Sequence, residues 1–309
     1  MMMLDFPNYS HSNPWQIKTI KTSAPINVEH TNQLDGRQCD FLHISWEDIL
    51  IRNCSNQKDA LSKVQEFQSY LEWRKKNTKI IWTIHNETSH SEIDKVAEMA
   101  LREVLAKASD LIFLMCDNHK YVISKQHQKK IKVLPHYIEE NPYQAINKNI
   151  SPTFFKYGLP RNETNSIWVE QILNDKTINC FVSDTRISQD SDTKERVVTN
   201  RRFTGLEADL YARLSNFSIF YRKPQFNSGA LNFYIGNKLA VFHDQETMKF
   251  MELPSCYDPF CITRNLSSSE IVDILRANPL AENEELEIFI KERSPDNIST
   301  KFWQYVTDL

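Results

Sequence analysis

From residue 41 to residue 134, short apolar runs alternate with amphipathic stretches, and few folds accept that order. Residues 41–44 form a short apolar run after polar turn residues. Residues 58–75 place Leu61, Val64, Phe67, Tyr70, Leu71 and Trp73 near helical spacing, which predicts an amphipathic helix. Residues 79–84 are β-branched and short, which predicts a buried strand. A second helix is predicted over 91–108, its apolar face marked by Ile93, Val96, Ala97, Ala100, Leu101, Val104 and Leu105. Residues 110–115 and 131–134 read as further buried strands. Strand–helix–strand–helix–strand implies a parallel sheet covered by helices on both faces.

The second half repeats the style. Strands are predicted at 154–157, 178–182, 217–221 and 239–242. Helices are predicted at 165–173, with Asn165 as its cap, and at 206–214, 229–235, 268–276 and 298–306. Residues 183–200 are strongly polar and read as a loop or an exposed helix, and the polar, Asn-rich 139–150 suits a linker. A chain of 309 residues has room for two domains of roughly 100–200 residues each. The expected division is 1–145, 150–295 and a last helix at 296–309. Two consecutive parallel α/β domains place ligands beyond the carboxyl ends of their strands.

Composition excludes several classes. A net charge of −3 gives no basic excess for binding nucleic acid. No apolar run approaches the ~20 residues of a spanning helix. The first 15 residues lack the charged and apolar blocks of a signal peptide. The expectation is a cytoplasmic protein, peripheral to the inner membrane at most. The six cysteines include no CxxC pair and read as reduced structural thiols, Cys256 and Cys261 included. With only five glycines, no GxGxxG or GxxxxGK[ST] phosphate loop is present.

Four polar clusters stand at predicted element ends. In Trp82–His90 an apolar strand runs into His85, Asn86, Glu87 and His90, and His and Glu both move protons near neutral pH. The plainer alternative is a strand-end loop whose His85 and Asn86 satisfy backbone groups. His43-Ile44-Ser45-Trp46-Glu47 ends another strand, where acids also suit a helix start. Asn13-Pro14-Trp15-Gln16 joins the first strand to the first helix. In Phe226–Leu231, Asn227, Ser228, Gly229 and Ala230 lead into a helix whose free N–H groups suit a phosphate. Asp190-Ser191-Asp192 resembles a DxD metal site but lies in a charged run and reads as solvated.

Taken in order, Asn13-Pro-Trp-Gln16, Asp40-Phe-Leu-His43-Ile-Ser-Trp46-Glu47, Lys79–Asn86, Ala108-Ser-Asp110 and Val133–Tyr137 resemble the N-terminal half of bacterial GT-B glycosyltransferases of exopolysaccharide and capsule biosynthesis. Phe155–Arg161 and Asn227–Leu231 followed by Gly236–Val241 are similar to that family's donor-domain segments. The resemblance implies an α/β, GT-B fold: two Rossmann-like domains facing each other across a cleft. It implies metal-independent transfer of a sugar, a hexose by expectation, from a nucleotide-sugar donor to a glycan or lipid-linked acceptor, with no cofactor and no nucleic acid partner. On this resemblance Arg161, Asn227, Ser228, Gly229 and Ala230 hold the donor. The base comes from His85, Glu87 or His90, and Asn13, His43, Trp46, Glu47 and Asn86 contact the acceptor or a sugar. The last helix crosses back to the first domain, as is common in the family. Two departures weigh on the donor site. Asn162-Glu163-Thr164 follows Arg161 where a lysine is common, and Lys223 and Leu231 stand where retaining members carry two glutamates. These departures favour inversion, with a non-catalytic glycan- or partner-binding homologue as the alternative.

Overall fold

The computed structural model describes residues 1–9, 14–87, 94–141, 152–157, 163–183, 191–193, 196–199, 201, 203–220, 229–264, 266–280 and 282–309. The chain forms two compact units, Met1–Tyr137 with Pro295–Leu309, and Ile138–Ser294.

In the first unit, β1 (Met2–Phe6), β2 (Asn27–His30), β3 (Phe41–Ser45), β4 (Lys79–Ile84), β5 (Leu111–Leu114) and β6 (Ile131–Val133) make a six-stranded parallel sheet in the order β2-β1-β3-β4-β5-β6. Helix α1 (Gln57–Arg74) precedes β4, and α2 (Lys95–Ala108) follows it. The five residues Ile80–Ile84 are all buried, as a strand covered on both faces requires. Asn56 caps α1 by accepting from the Asp59 amide at 3.0 Å, and Asp94 caps α2 by accepting from Ala97 at 2.8 Å. The helix predicted from 91 therefore begins at Lys95, with 91–93 outside the described residues. Asp110 accepts the Ile80 amide at 2.9 Å and Ser109 donates to the Leu105 carbonyl at 2.7 Å, so this Ser-Asp pair closes a helix onto a strand.

In the second unit the strands are β7 (Thr153–Tyr157), β8 (Asn179–Ser183), β9 (Ser191–Thr193), β10 (Arg196–Thr199), β11 (Phe217–Phe220) and β12 (Ala240–His243), in the order β12-β11-β7-β8-β10-β9. Only the β9–β10 pair is antiparallel. The helices are α3 (Glu163–Asn174), α4 (Gly205–Arg213), α5 (Gly229–Gly236), α6 (Gln245–Met251), α7 (Ser268–Ala277) and α8 (Glu284–Glu292). The sheet corrects two expectations. The polar 183–200 segment contributes β9 and β10, with Val198 buried, because an edge hairpin tolerates charge that a central strand would not. Helix α3 includes Glu163 and Thr164, ahead of the start at Asn165 expected from the sequence. Gly236 is required by packing: a Cβ there would lie 2.0 Å from the Glu139 carbonyl oxygen.

Helix α9 (Pro295–Thr307) returns to the first unit. Ile298, Phe302, Trp303 and Val306 are buried in that unit's core beside Ile20 and Phe113, each contributing about 1.5–3 kcal/mol by burial. Trp303 Nε1 donates to the Ile20 carbonyl at 2.8 Å. Both units are doubly wound α/β sheets, parallel apart from the β9–β10 pair, as the alternating pattern of the sequence implies.

Candidate functional site

In a doubly wound sheet the ligand crevice lies beyond the strand ends where the winding reverses. In the first unit that point falls between β1 and β3, which run side by side while β2 lies outside β1. The carboxyl ends of β1, β3 and β4 carry Asp5, Ser45-Trp46-Glu47 and His85-Asn86-Glu87. Beneath them lies a buried polar layer. Asp5 Oδ1 pairs with His43 Nδ1 at 2.6 Å and Asp5 Oδ2 with His30 Nδ1 at 2.6 Å. His43 Nε2 meets Thr83 Oγ1 at 2.7 Å. Burial pushes the Asp5 carboxyl up, but the hydrogen bonds and charges of His30 and His43 outweigh it and hold the group below its ordinary value.

His43 is fully buried under Trp15 and Phe302, and both its ring nitrogens are engaged. His43, expected to contact the acceptor or a sugar, has both ring nitrogens engaged within the unit. Gln16 is likewise structural. Its Nε2 donates to the Pro7 carbonyl at 2.6 Å and its Oε1 accepts the Tyr9 amide at 2.7 Å, pinning the loop after β1.

His85 is only 4% exposed. Trp46 stacks on it at 4.0 Å and 3°, and Trp15 meets it edge-on at 4.6 Å. Its Nε2 is buried with no hydrogen-bond partner among the described residues. An unpaired buried nitrogen in a native site calls for a functional explanation. Burial, then the neighbouring His136 and His43, hold the imidazole well below its ordinary value, so it is neutral at pH 7. Trp46 sits in the left-handed region at φ 47° and ψ 51°, uncommon for a bulky residue.

Glu47 is buried, accepts from Trp82 Nε1 at 3.3 Å and lies 3.3 Å from Arg102 Nε. Burial raises its carboxyl above the ordinary value despite Arg102. Glu47, also expected to contact the acceptor or a sugar, has these two partners inside the fold. Arg102 also donates to the Glu87 carbonyl at 2.6 Å and the Asn86 carbonyl at 2.9 Å. Asn86 and Glu87 themselves are half-buried. Burial and a hydrogen bond to Glu87 push the Tyr121 hydroxyl up to about 12. Asn13 and His90 lie outside the described residues. The sequence left Asp5, Arg102 and Tyr121 unmarked. Of these, Arg102 carries one visible signal, its i,i+4 spacing from Glu98, which it meets at 3.5 Å.

In the second unit the winding reverses between β7 and β11. Lys156, buried near the end of β7, donates to the Ile219 carbonyl of β11 at 2.9 Å. Gly229 opens α5 exposed, Ala230 is half-buried, and a Cβ added at Gly229 would meet nothing within 4 Å. Leu231 is fully buried in the core. Arg161, Asn227 and Ser228 lie outside the described residues. Among the described residues, no three His, Cys, Asp or Glu side chains come together to hold a metal ion. Among them, too, no helix is long and apolar enough to cross a membrane.

Comparison with solved structures supports the fold. Anabaena HepE in complex with UDP is similar over 100% of this chain and 99% of its own, at TM-score 0.63 and 12% identity. HepE in complex with UDP and glucose matches over 92% and 87%, at 0.58 and 11%. Sucrose-phosphate synthase from Thermosynechococcus elongatus matches over 87% and 73%, at 0.58 and 9%. The chain has the GT-B fold, built of two Rossmann-like units. No protein-family model and no curated protein matches the sequence.

Proposed function

We propose that this chain is a glycosyltransferase that moves a sugar, a hexose in our reading, from a nucleotide-sugar donor to a glycan or lipid-linked acceptor. The proposed setting is surface polysaccharide biosynthesis on the cytoplasmic side of the inner membrane. The observation that carries the reading is the near end-to-end likeness to a structure that itself holds UDP. The donor diphosphate is assigned to the β7–β11 switch point, on the N–H groups opening α5 and on Arg161, Asn227 and Ser228, by helix-terminus anion binding. The acceptor is assigned to the β1–β3 switch point of the first unit.

In the proposed reaction the bond from the anomeric carbon to the diphosphate oxygen breaks and a bond to the acceptor oxygen forms. The hydroxyl proton passes to a base, and nucleoside diphosphate leaves with the electron pair. The base is drawn from His85, Glu87 and His90. His85 is neutral and its Nε2 is uncommitted among the described residues, which suits an acceptor for that proton. A depressed basicity lowers its driving force, so Glu87, oriented by Tyr121 and by the Arg102 bond to its carbonyl, is the competing base. Asn86 orients a sugar hydroxyl, and the half-exposed Trp46 offers the sugar an apolar face. No metal is assigned a part. Inversion is favoured because Lys223 and Leu231 replace the paired acids of retaining members, and the burial of Leu231 takes it out of reach of a donor.

The same burial favours the second reading, a non-catalytic GT-B homologue that binds glycan or partner. Incubation with a panel of UDP-, GDP- and dTDP-sugars separates the two. Release of nucleoside diphosphate from at least one is expected. Nucleotide binding without release from any donor, with and without glycan acceptors, would establish the second reading.

A further inference from the structure

We infer that Arg102, acting with Glu47, is a positioning residue that sets the Trp46–His85 stack by tying together the two strand-end segments that carry those rings. The turnover arm of its test rests on the glycosyltransferase reading above, and the structural arm does not.

Trp46 closes the segment after β3 and His85 the segment after β4. Nothing in the strand ladder fixes either ring, because the β3–β4 pairing ends at Ser45 with Thr83. Arg102 reaches the neighbour of each ring from α2. Its Nε forms an ion pair with the Glu47 carboxylate, next to Trp46, at 3.3 Å and without a hydrogen bond. Its two terminal nitrogens donate to the Asn86 and Glu87 carbonyls, immediately after His85, at 2.9 and 2.6 Å. Glu98, one turn earlier on α2, meets the same guanidinium at 3.5 Å. One planar cation thus spans three groups on two segments, a task for a rigid fork and not for a point charge.

The conformation it holds is a costly one. Trp46 is left-handed, which a bulky side chain adopts only where its surroundings over-determine it. The adjacent Glu47 is buried, and a buried carboxylate persists only when paired and hydrogen-bonded. Trp82 Nε1 and Arg102 are the partners the structure gives it. If Glu47 lost Arg102, Trp46 would lose its neighbouring anchor. If the 86–87 carbonyls lost it, His85 would be free to leave the ring that lies 4.0 Å away.

The test is solution NMR of the full chain with ring-13C-labelled histidine, with the His85 signal assigned by its loss in His85→Gln. A C–H over an indole face at this distance is shifted upfield by the ring current. Arg102→Lys keeps the charge but cannot span the three groups. It is expected to return the His85 signal most of the way to the position of an unstacked histidine, while the other eight of the nine histidines hold theirs. Glu47→Gln, which can still accept from Trp82, is expected to move His85 in the same direction by less. In the turnover arm, Arg102→Lys is expected to lower kcat by on the order of 10²-fold, the scale of a misplaced catalytic group, with KM for the donor unchanged. A folded Arg102→Lys and a folded Glu47→Gln that both leave the His85 signal in place would overturn the inference. If Arg102→Lys fails to fold, the Glu47→Gln signal decides alone. If no nucleotide sugar turns over, the function reading fails while the NMR result still rules on the clamp.

Discussion

Replacing His85 by alanine separates a catalytic part from a packing part, because the structure fixes the size of the packing loss. The ring makes two aromatic contacts, with Trp46 at 4.0 Å and Trp15 at 4.6 Å. Such pairs are worth about 0.5–1.5 kcal/mol each beyond burial, and with the loss of burial and the cavity counted the substitution costs about 2–5 kcal/mol. No hydrogen bond of Nε2 is lost, since it has none among the described residues. Against a domain stability of roughly 5–15 kcal/mol, even the upper figure leaves about half of the protein folded. Unfolding can therefore account for about a twofold loss of activity at most. If His85 takes the proton or touches the sugar, turnover should fall by about 10²–10⁴-fold, while affinity for nucleoside diphosphate stays the same. Because burial holds the imidazole below its ordinary value, the acidic limb of the kcat profile should lie below pH 6.5. The assay is nucleoside diphosphate release and thermal melting on the same His85→Ala sample, with Glu87→Gln and His90→Ala beside it. A lowered melting temperature with specific activity within twofold of the parent would falsify the catalytic role and leave His85 as packing alone.

Three further outcomes are expected. Gly229→Val should weaken nucleoside diphosphate binding by calorimetry with melting unchanged, since the added side chain meets open space in the fold but blocks backbone approach by a phosphate. Unchanged binding would remove this turn from the donor site. Trp303→Phe should cost about 1–3 kcal/mol in urea unfolding by leaving the Ile20 carbonyl without its donor, and an unmoved midpoint would show that α9 does not depend on that bond. Stability should fall on acidification in two stages. Below pH 6.5 the unfolded chain takes up a proton that the neutral, buried His85 refuses, and below pH 3.8 it takes up one that the depressed Asp5 refuses. In both windows the unfolded state binds more protons, so stability rises with pH. A His85→Gln variant with the same slope between pH 6.5 and 5 as the parent would refute the first stage.

The parts of the fold legible in the sequence are those whose residues declare their own environment. Lys79–Ile84 reads as a strand because consecutive β-branched and aromatic residues have no other use. By contrast, β1 was expected only as a first strand without bounds, since Asp5 interrupts its apolar run and the paired histidines across the sheet explain a buried acid there. The edge strand β2 escaped notice because it is partly exposed and polar. In β10 two valines were outvoted by the charges around them. Motif matching pointed to strand ends but not to the division of labour along them. Gln16, His43, Glu47 and Asp110 sit in the matched segments and turn out to hold backbone or each other. Arg102, which holds the loop beyond His85, shows in the local sequence only its i,i+4 spacing from Glu98, and its other partners come from segments 15 and 55 residues away. Those distant contacts leave no local pattern to read.

The buried polar groups of the first unit argue for a site independently of any likeness. Asp5, His30, His43, Thr83, Glu47 and Arg102 lie in or close under the strand ends, and all but Arg102 are less than a tenth exposed as side chains. Well-packed apolar residues in place of such ion pairs are often neutral or stabilising, so stability alone does not explain a polar layer here. Its position does. The layer spans the carboxyl ends of β2, β1, β3 and β4, on both sides of the point where the sheet's winding reverses and where α/β sheets take up their ligands. Every described hydrogen-bonding nitrogen of His43 is satisfied within it, whereas the Nε2 of His85, a residue above, is not. Three buried nitrogens of this region, His30 Nε2, Arg102 Nε and His85 Nε2, have no hydrogen-bond partner among the described residues, and of the three His85 Nε2 belongs to the residue that directly follows β4. Under the proposed function its partner is expected to come from the substrate, with the acceptor hydroxyl the group of matching chemistry.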